Sequence, residues 1–310
     1  MQPRNLIVDC DTGVDDALAL LLALRSPIFN VLGITTVAGN VPLDRVVVNT
    51  LTVVEQAARQ VPVYRGQAQP LLTQLQTAEY AHGHSGLADL TFPAPKLQVS
   101  SEHAVDYLIR TYMHADSPVE LVTTGPLTNI ALALLREPRL AERIPSLVMM
   151  AGGITNGNIT AAAEFNVWVD PEAADVVFRS SIPKKMIALE PIMQFATFSA
   201  VDLRQLAASH TPWCQMAWRL LDSYRSRRKG PISACDPTAM AVAMDDSIAT
   251  SQLCYVAIET KGEHTRGMTL VDRRVWRRMD SKAAPPNVDV VLRVDTRRYR
   301  KLFVHTLLAN

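Results

Sequence analysis

Apolar residues along the chain fall into short blocks that alternate between two periodicities. Leu6 to Asp9 is a brief apolar run closing on an acid, and from Asp15 to Arg25 nearly every position is a helix former. Val31 to Val37 reads as a strand and Leu43 to Ala58 as a helix. Further on, Val119 to Thr123, Leu147 to Met150 and Lys185 to Leu189 read as strands, Gly125-Pro126 opens a helix to Arg136, and Pro171 to Phe178 is helical. Strands that are apolar throughout and separated by helices predict an α/β fold. The expected core is a single open, mostly parallel, Rossmann-like sheet with helices on both faces. After about Cys254 the pattern becomes strand-rich (Cys254 to Glu259, Met268 to Val271, Val288 to Val294) before a last helix, which predicts extra C-terminal strands, antiparallel or at an edge. Ligands of such sheets bind beyond the carboxyl ends of the strands.

No Gly/Ser-rich or Pro-rich linker interrupts the 310 residues, so one domain spanning 1–310 is expected. A net charge of +1 argues against nucleic acid as a partner. The basic clusters Arg225 to Lys229 and Arg273 to Arg278 read as solvated surface. The four cysteines have no metal-type spacing and follow no signal-like segment, which predicts reduced thiols in a cytoplasmic protein. The longest apolar stretch, Ala17 to Leu24, is too short to span a bilayer, so no membrane association is expected.

The chemistry concentrates where the first strand ends. Asp9, Asp11, Asp15 and Asp16 fall within eight residues, with Gly13 read as permitting a tight turn between them. Helix capping accounts for one or two such acids. Four together repel one another unless a cation neutralises them, and carboxylates without His or Cys suit a hard cation, Ca²⁺ or Mg²⁺. Asp15 and Asp16 project about 100° apart on a helix, so one is free to hold metal while the other takes a substrate hydroxyl. Other strand ends add Asn40, Thr124 and Met150, and the loop after the Met150 strand carries Asn158, Glu164 and Asn166. Asp170-Pro171 reads as a helix start, and Asp236-Pro237 has the same form.

These residues resemble the inosine-uridine nucleoside hydrolases along almost the whole chain. The resemblance rests on Asp9-Cys-Asp-Thr-Gly-Val-Asp-Asp16, Thr35-Thr-Val-Ala-Gly-Asn40 and His82-Gly-His-Ser-Gly86. Thr124-Gly-Pro-Leu-Thr-Asn129, Ala163-Glu-Phe-Asn166, Asp170-Pro-Glu-Ala-Ala174 and Asp236-Pro237 continue it. It implies a homodimer or homotetramer that hydrolyses ribonucleosides to ribose and free base in nucleoside salvage. Carried over residue by residue, it implies that Asp11, Asp16, Asp236 and the Thr124 carbonyl bind Ca²⁺, with Asp11 also the general base. Asp15, Asn40, Asn158, Glu164, Asn166 and the chain near Met150 would hold ribose, while His82 and Phe165 would lie near the base. The bottom-up chemistry agrees, because an oxocarbenium-like ribose calls for negative and hydrogen-bonding groups beneath the sugar.

Three positions depart from the family pattern. Thr12 replaces a proline, His84 a glutamate, and Cys235 the histidine that acts as leaving-group acid in other members. The segment Leu189 to Phe195 lacks a second family histidine and leaves Met193 there. His82, His84 and Tyr224 are then the candidate proton donors, or no protein acid serves. The long connection from Val63 to Ser101 is expected to act as a lid, with Tyr224 to Gly230 as the facing wall of the mouth. Two other functions fit part of the pattern. One is a haloacid-dehalogenase-type phosphatase, read from the Asp-x-Asp after the first strand; the other is a non-catalytic nucleoside-binding homologue. Base preference is not legible.

Overall fold

The computed structural model describes residues 2–227, 231–274 and 283–309. Its strands are β1 (Arg4–Cys10), β2 (Phe29–Thr36), β3 (Val63–Arg65), β4 (Val119–Thr123), β5 (Leu147–Met150), β6 (Lys184–Ile187), β7 (Thr197–Phe198), β8 (Ile232–Ser233), β9 (Ala249–Ile258), β10 (Thr269–Asp272) and β11 (Val288–Val294). Nine of them form one sheet in the order β10-β9-β11-β6-β5-β4-β1-β2-β3, while β7 and β8 pair separately.

Pleating sends alternate side chains of β1 to opposite faces, and both faces are dry. Leu6, Val8 and Cys10 enter one hydrophobic cluster, and Ile7 enters the other. The first cluster is roofed by helices Val14–Arg25, Leu43–Gln56, Pro212–Arg227, Asp236–Met244 and Thr296–Leu308. The second is closed by Ala104–His114, Thr128–Arg136 and Pro171–Arg179. Helix Val14–Arg25 is buried on every side except at Arg25, so its run of Ala and Leu needs no polar stripe.

All pairings from β3 through to β11 are parallel; β9 and then β10 add antiparallel strands at one edge. The sequence expectation of extra antiparallel or edge strands therefore holds for β9 and β10. β11 sits inside the sheet, antiparallel to β9 on one side and parallel to β6 on the other, and so joins the C-terminal strands to the parallel core. From β1 the chain winds outward through β2 to β3, then crosses to β4 on the other side of β1. The two directions of winding part between β1 and β4, where a crevice opens at the carboxyl ends. Asp9 and Thr123 are register partners there, so the acidic segment and Thr124 emerge side by side.

The connection from Val63 to Ser101 is more ordered than expected. It begins with β3, carries a helical turn Glu79–His82, and returns to bridge Tyr64 through Ser100. Among the described residues no helix is long and apolar enough to cross a membrane. Residues 228–230 and 275–282, which hold parts of the two basic clusters and of the expected facing wall, lie outside the described residues.

Candidate active site

Asp9, the last acid before the crevice, is structural. Its Oδ1 accepts from Thr35 Oγ1 at 2.5 Å and from Asn129 Nδ2 at 2.8 Å, tying β1 to β2 and to the helix after β4. Burial pushes its carboxyl up to about 7 despite those donors.

Asp11 is fully buried beneath the crevice floor. Its Oδ2 accepts from the Asn40 amide at 2.7 Å, while Oδ1 has no hydrogen-bond partner. A Cβ on Gly39 would stand 2.1 Å from Asp11 Oδ2, so only glycine lets the two segments meet. Burial, and then the neighbouring Asp16 charge, push this carboxyl well above the usual range.

Asp16 serves as both cap and hub. Its Oδ2 accepts from Gly13 N and Asn40 Nδ2, each at 2.9 Å, and its Oδ1 from Thr124 Oγ1 at 2.6 Å and Asp11 N at 3.3 Å. The bond from Gly13 N ties the N-cap amide to the third residue of the helix, so the acid caps the helix as well as facing the site. Gly13 itself has φ of −100°, an ordinary extended value, so the turn it is read as permitting makes no use of glycine's extra backbone freedom. The close approach of His82 requires glycine, since Nδ1 would lie 2.4 Å from a Cβ there.

Asp15 turns the other way, as its helical offset predicts. Its Oδ2 accepts from Cys235 N at 3.3 Å and its buried Oδ1 has no partner. Oxygens of Asp15, Asp16 and Asp236 lie within 4.8 Å of one another. Asp236 is raised well above the usual carboxylate range by burial and then by Asp15 and Asp16. Three buried carboxylates at this separation, one with an unpartnered oxygen, form an all-oxygen donor set that fits a hard divalent cation. Asp236 begins its helix instead of capping it; Cys235 holds the cap position.

The far wall is built from the segment after β5. Asn166 Nδ2 donates to the carbonyls of Thr124 at 2.8 Å and Met150 at 3.1 Å, fastening this wall to the ends of β4 and β5. Glu164 caps the helix Phe165–Val169, accepting from Asn166 N at 2.9 Å, and also takes Gly152 N at 2.8 Å. Burial pushes its carboxyl up to about 7 against those amides. Asn158 Oδ1 accepts from Phe165 N at 2.9 Å. The loop that leads to Asn158 is gripped by Glu190, whose carboxylate takes Ile154 N at 2.8 Å, Thr155 N at 2.6 Å and Asn156 N at 2.9 Å.

All the expected site residues except Asp11 and Asp16 line one cavity of about 500 Å³, and those two lie buried behind it. Tyr224 and Met193 line it too. His84 does not: it stands exposed against Arg45 and Glu79, which removes it from the candidate proton donors. His82 Nδ1 accepts from Val14 N at 3.1 Å, leaving the ring proton on Nε2. Asp15 Oδ1 is 3.7 Å from the same nitrogen, too long for a hydrogen bond. Tyr80, Asn156, Glu190 and Gln194 also line the cavity and were not singled out by sequence. The only signal for Glu190 was its place in a segment already seen to depart from the family pattern.

Comparison with known proteins bears on this geometry. The family model described as inosine-uridine preferring nucleoside hydrolase matches residues 6–301. The pyrimidine-specific ribonucleoside hydrolase RihA of Shewanella sp. (strain MR-7) is 39% identical over 98% of this chain and 96% of its own. Among solved structures, a purine-preferring ribonucleoside hydrolase from Gardnerella vaginalis superposes with a TM-score of 0.88 at 31% identity, covering 98% of each chain. An inosine-guanosine nucleoside hydrolase gives a TM-score of 0.90 at 28% identity, again over 98% of each.

Proposed function

Because this chain belongs to the inosine-uridine preferring nucleoside hydrolase family and is a ribonucleoside hydrolase, we propose that the acid-floored cavity is its active site. There water cleaves the N-glycosidic bond of pyrimidine ribonucleosides. The pyrimidine preference is supported by the relatives at 37–40% identity, which are named as pyrimidine-specific. Family membership over residues 6–301 sets aside the phosphatase alternative.

The convergence of Asp15, Asp16 and Asp236 carries the reading. We assign Ca²⁺ to this floor, with Asp11, Asp16, Asp236 and the Thr124 carbonyl as its ligands; bound there, it offsets the crowded charge and makes water more acidic. Asp11 belongs to the set because its Oδ1 is buried without a donor beside Asp16. That oxygen accepts the proton of the attacking water, as a general base. Asp15, Asn40, Asn158, Glu164, Asn166 and the chain at Met150 hold ribose, and Asp15 keeps one oxygen free for a hydroxyl. Carboxylates beneath the sugar stabilise the oxocarbenium-like charge at C1′. His82, Phe165 and Cys235 stand at the base side, where His82 presents Nε2–H as a donor.

One domain over 1–310 is supported by the single nine-stranded sheet, and a cytoplasmic location by four cysteines of which none is in a disulfide. A homodimer or homotetramer with no nucleic-acid partner completes the reading; the oligomer rests on the family resemblance and the missing partner on the near-neutral charge. The test is base release from uridine, cytidine, inosine and 2′-deoxyuridine. Uridine should exceed 2′-deoxyuridine by up to ~10⁴-fold, the scale on which a site built for a hydroxyl rejects its absence. Equal rates on the two would remove the ribose floor, and inosine faster than uridine would remove the pyrimidine preference.

A further inference from the structure

At the amino ends of the strands, away from the acidic floor, Lys184 opens β6 and is the one buried lysine among the described residues. Its Nζ donates to the Ser180 carbonyl at 2.8 Å and reaches the Asn287 carbonyl at 3.5 Å. Among the described residues no carboxylate pairs with it. Two cavities share this side chain as lining. One, of about 300 Å³, has Leu147, Val242 and Ala243 on its walls; the other, of about 380 Å³, has Ile182 and Pro286. An ammonium so placed loses water without gaining a counter-charge, and burial pushes the amine down to about 8. The adjacent Lys185 is the contrast. Burial works against its charge too, but Asp246 and Asp289, the latter at 3.0 Å, outweigh that and hold its amine above the usual range.

A desolvated, neutral amine is a nucleophile, and acylating it removes the cost of burying its charge. The amide nitrogen that results keeps one N–H for the Ser180 carbonyl, and the acyl chain finds apolar walls on either side. We propose that Lys184 is a site of N-acylation by small acyl phosphates, its acyl group lodging in the cavities that flank the side chain. A cavity of about 300 Å³ takes a two-carbon acyl phosphate whole. In the step, the nitrogen lone pair bonds to the acyl carbon and the C–O bond to phosphate breaks with its pair on the phosphate oxygen. The surplus proton on nitrogen passes to that phosphate, so an amide and hydrogen phosphate are the products.

The probe is acetyl phosphate, incubated with the whole folded protein and read by peptide mass spectrometry with fragmentation that separates Lys184 from Lys185. At about pH 7 an amine titrating at about 8 is roughly one-tenth unprotonated, while an ordinary lysine near ~10.4 is below roughly a thousandth. The weaker basicity of the nitrogen and the walls around it return part of that gain. Lys184 should therefore acetylate at least ~10-fold faster than Lys185 or the exposed Lys96, Lys261 and Lys301. Unfolding in urea should abolish the preference, because the burial that creates it is gone. Lys184 acetylated no faster than those lysines in the folded protein, or keeping its lead in urea, overturns the proposal.

Discussion

Asp16 receives four donors in a fully buried setting, yet its carboxyl is still pushed up by burial and by Asp15 beside it. Hydrogen bonds alone do not settle so much like charge in so little solvent, and an added cation does. A protein that binds Ca²⁺ here gains stability by mass action. At 100-fold excess over Kd the gain is roughly 2.7 kcal/mol, or about 5 °C in Tm at roughly 2 °C per kcal/mol for a chain of this size. Chelated protein should therefore melt lower and recover with Ca²⁺, while Asp236→Asn should show little recovery. A Tm indifferent to Ca²⁺ in the unaltered protein would remove the ion from this account. At this scale much of the site is legible in sequence. Acids crowded at a strand end are a local signal, and Asp11, Asp15 and Asp16 need only the chain's own turn to meet. Asp9 is the counterexample within the same motif, because its partners Thr35 and Asn129 come from 26 and 120 residues away.

Elements explain what the residue pattern leaves dark. Glu190 sits in the helix Leu189–Phe195, after β6, and grips a loop after β5 that carries Asn156 and Asn158 into the cavity. Sequence places those segments more than thirty residues apart and gives no reason to join them; the parallel register of β5 and β6 does. Burial works against the Glu190 charge, but the amides of Ile154, Thr155 and Asn156 outweigh it and hold the carboxyl below the usual range. A depressed folded value means the stabilisation is present above the unfolded glutamate value and is lost as pH falls through the folded one. Glu190→Gln should thus weaken the acid-side loss of stability. It should raise KM for uridine about 5- to 30-fold, the factor for one or two kcal/mol, with kcat less affected. An unchanged KM with an unchanged acid limb would mean that the loop holds itself. β11 marks a different limit. Its apolar run is plain, but nothing local says that it pairs in parallel with β6 inside the sheet instead of at the edge.

At the scale of the whole molecule, the sheet order puts a crevice between β1 and β4, and helices on both faces leave its floor buried. Alternating apolar strands and helices made that architecture readable. The cavity walls were less so, because they come from long connections whose ends the sheet brings together. Asp11 is where the scales meet: strand β1 delivers it, Gly39 makes room for it, and its Oδ1 waits beneath the floor without a donor. In the proposed reaction that oxygen accepts the proton of the attacking water. The measurement is steady-state kcat for uridine in Asp11→Asn, with the circular dichroism of the variant confirming its fold. A fall of at least ~10²-fold is expected, the lower range for losing a positioned base; turnover within a few-fold of the unaltered protein would contradict it.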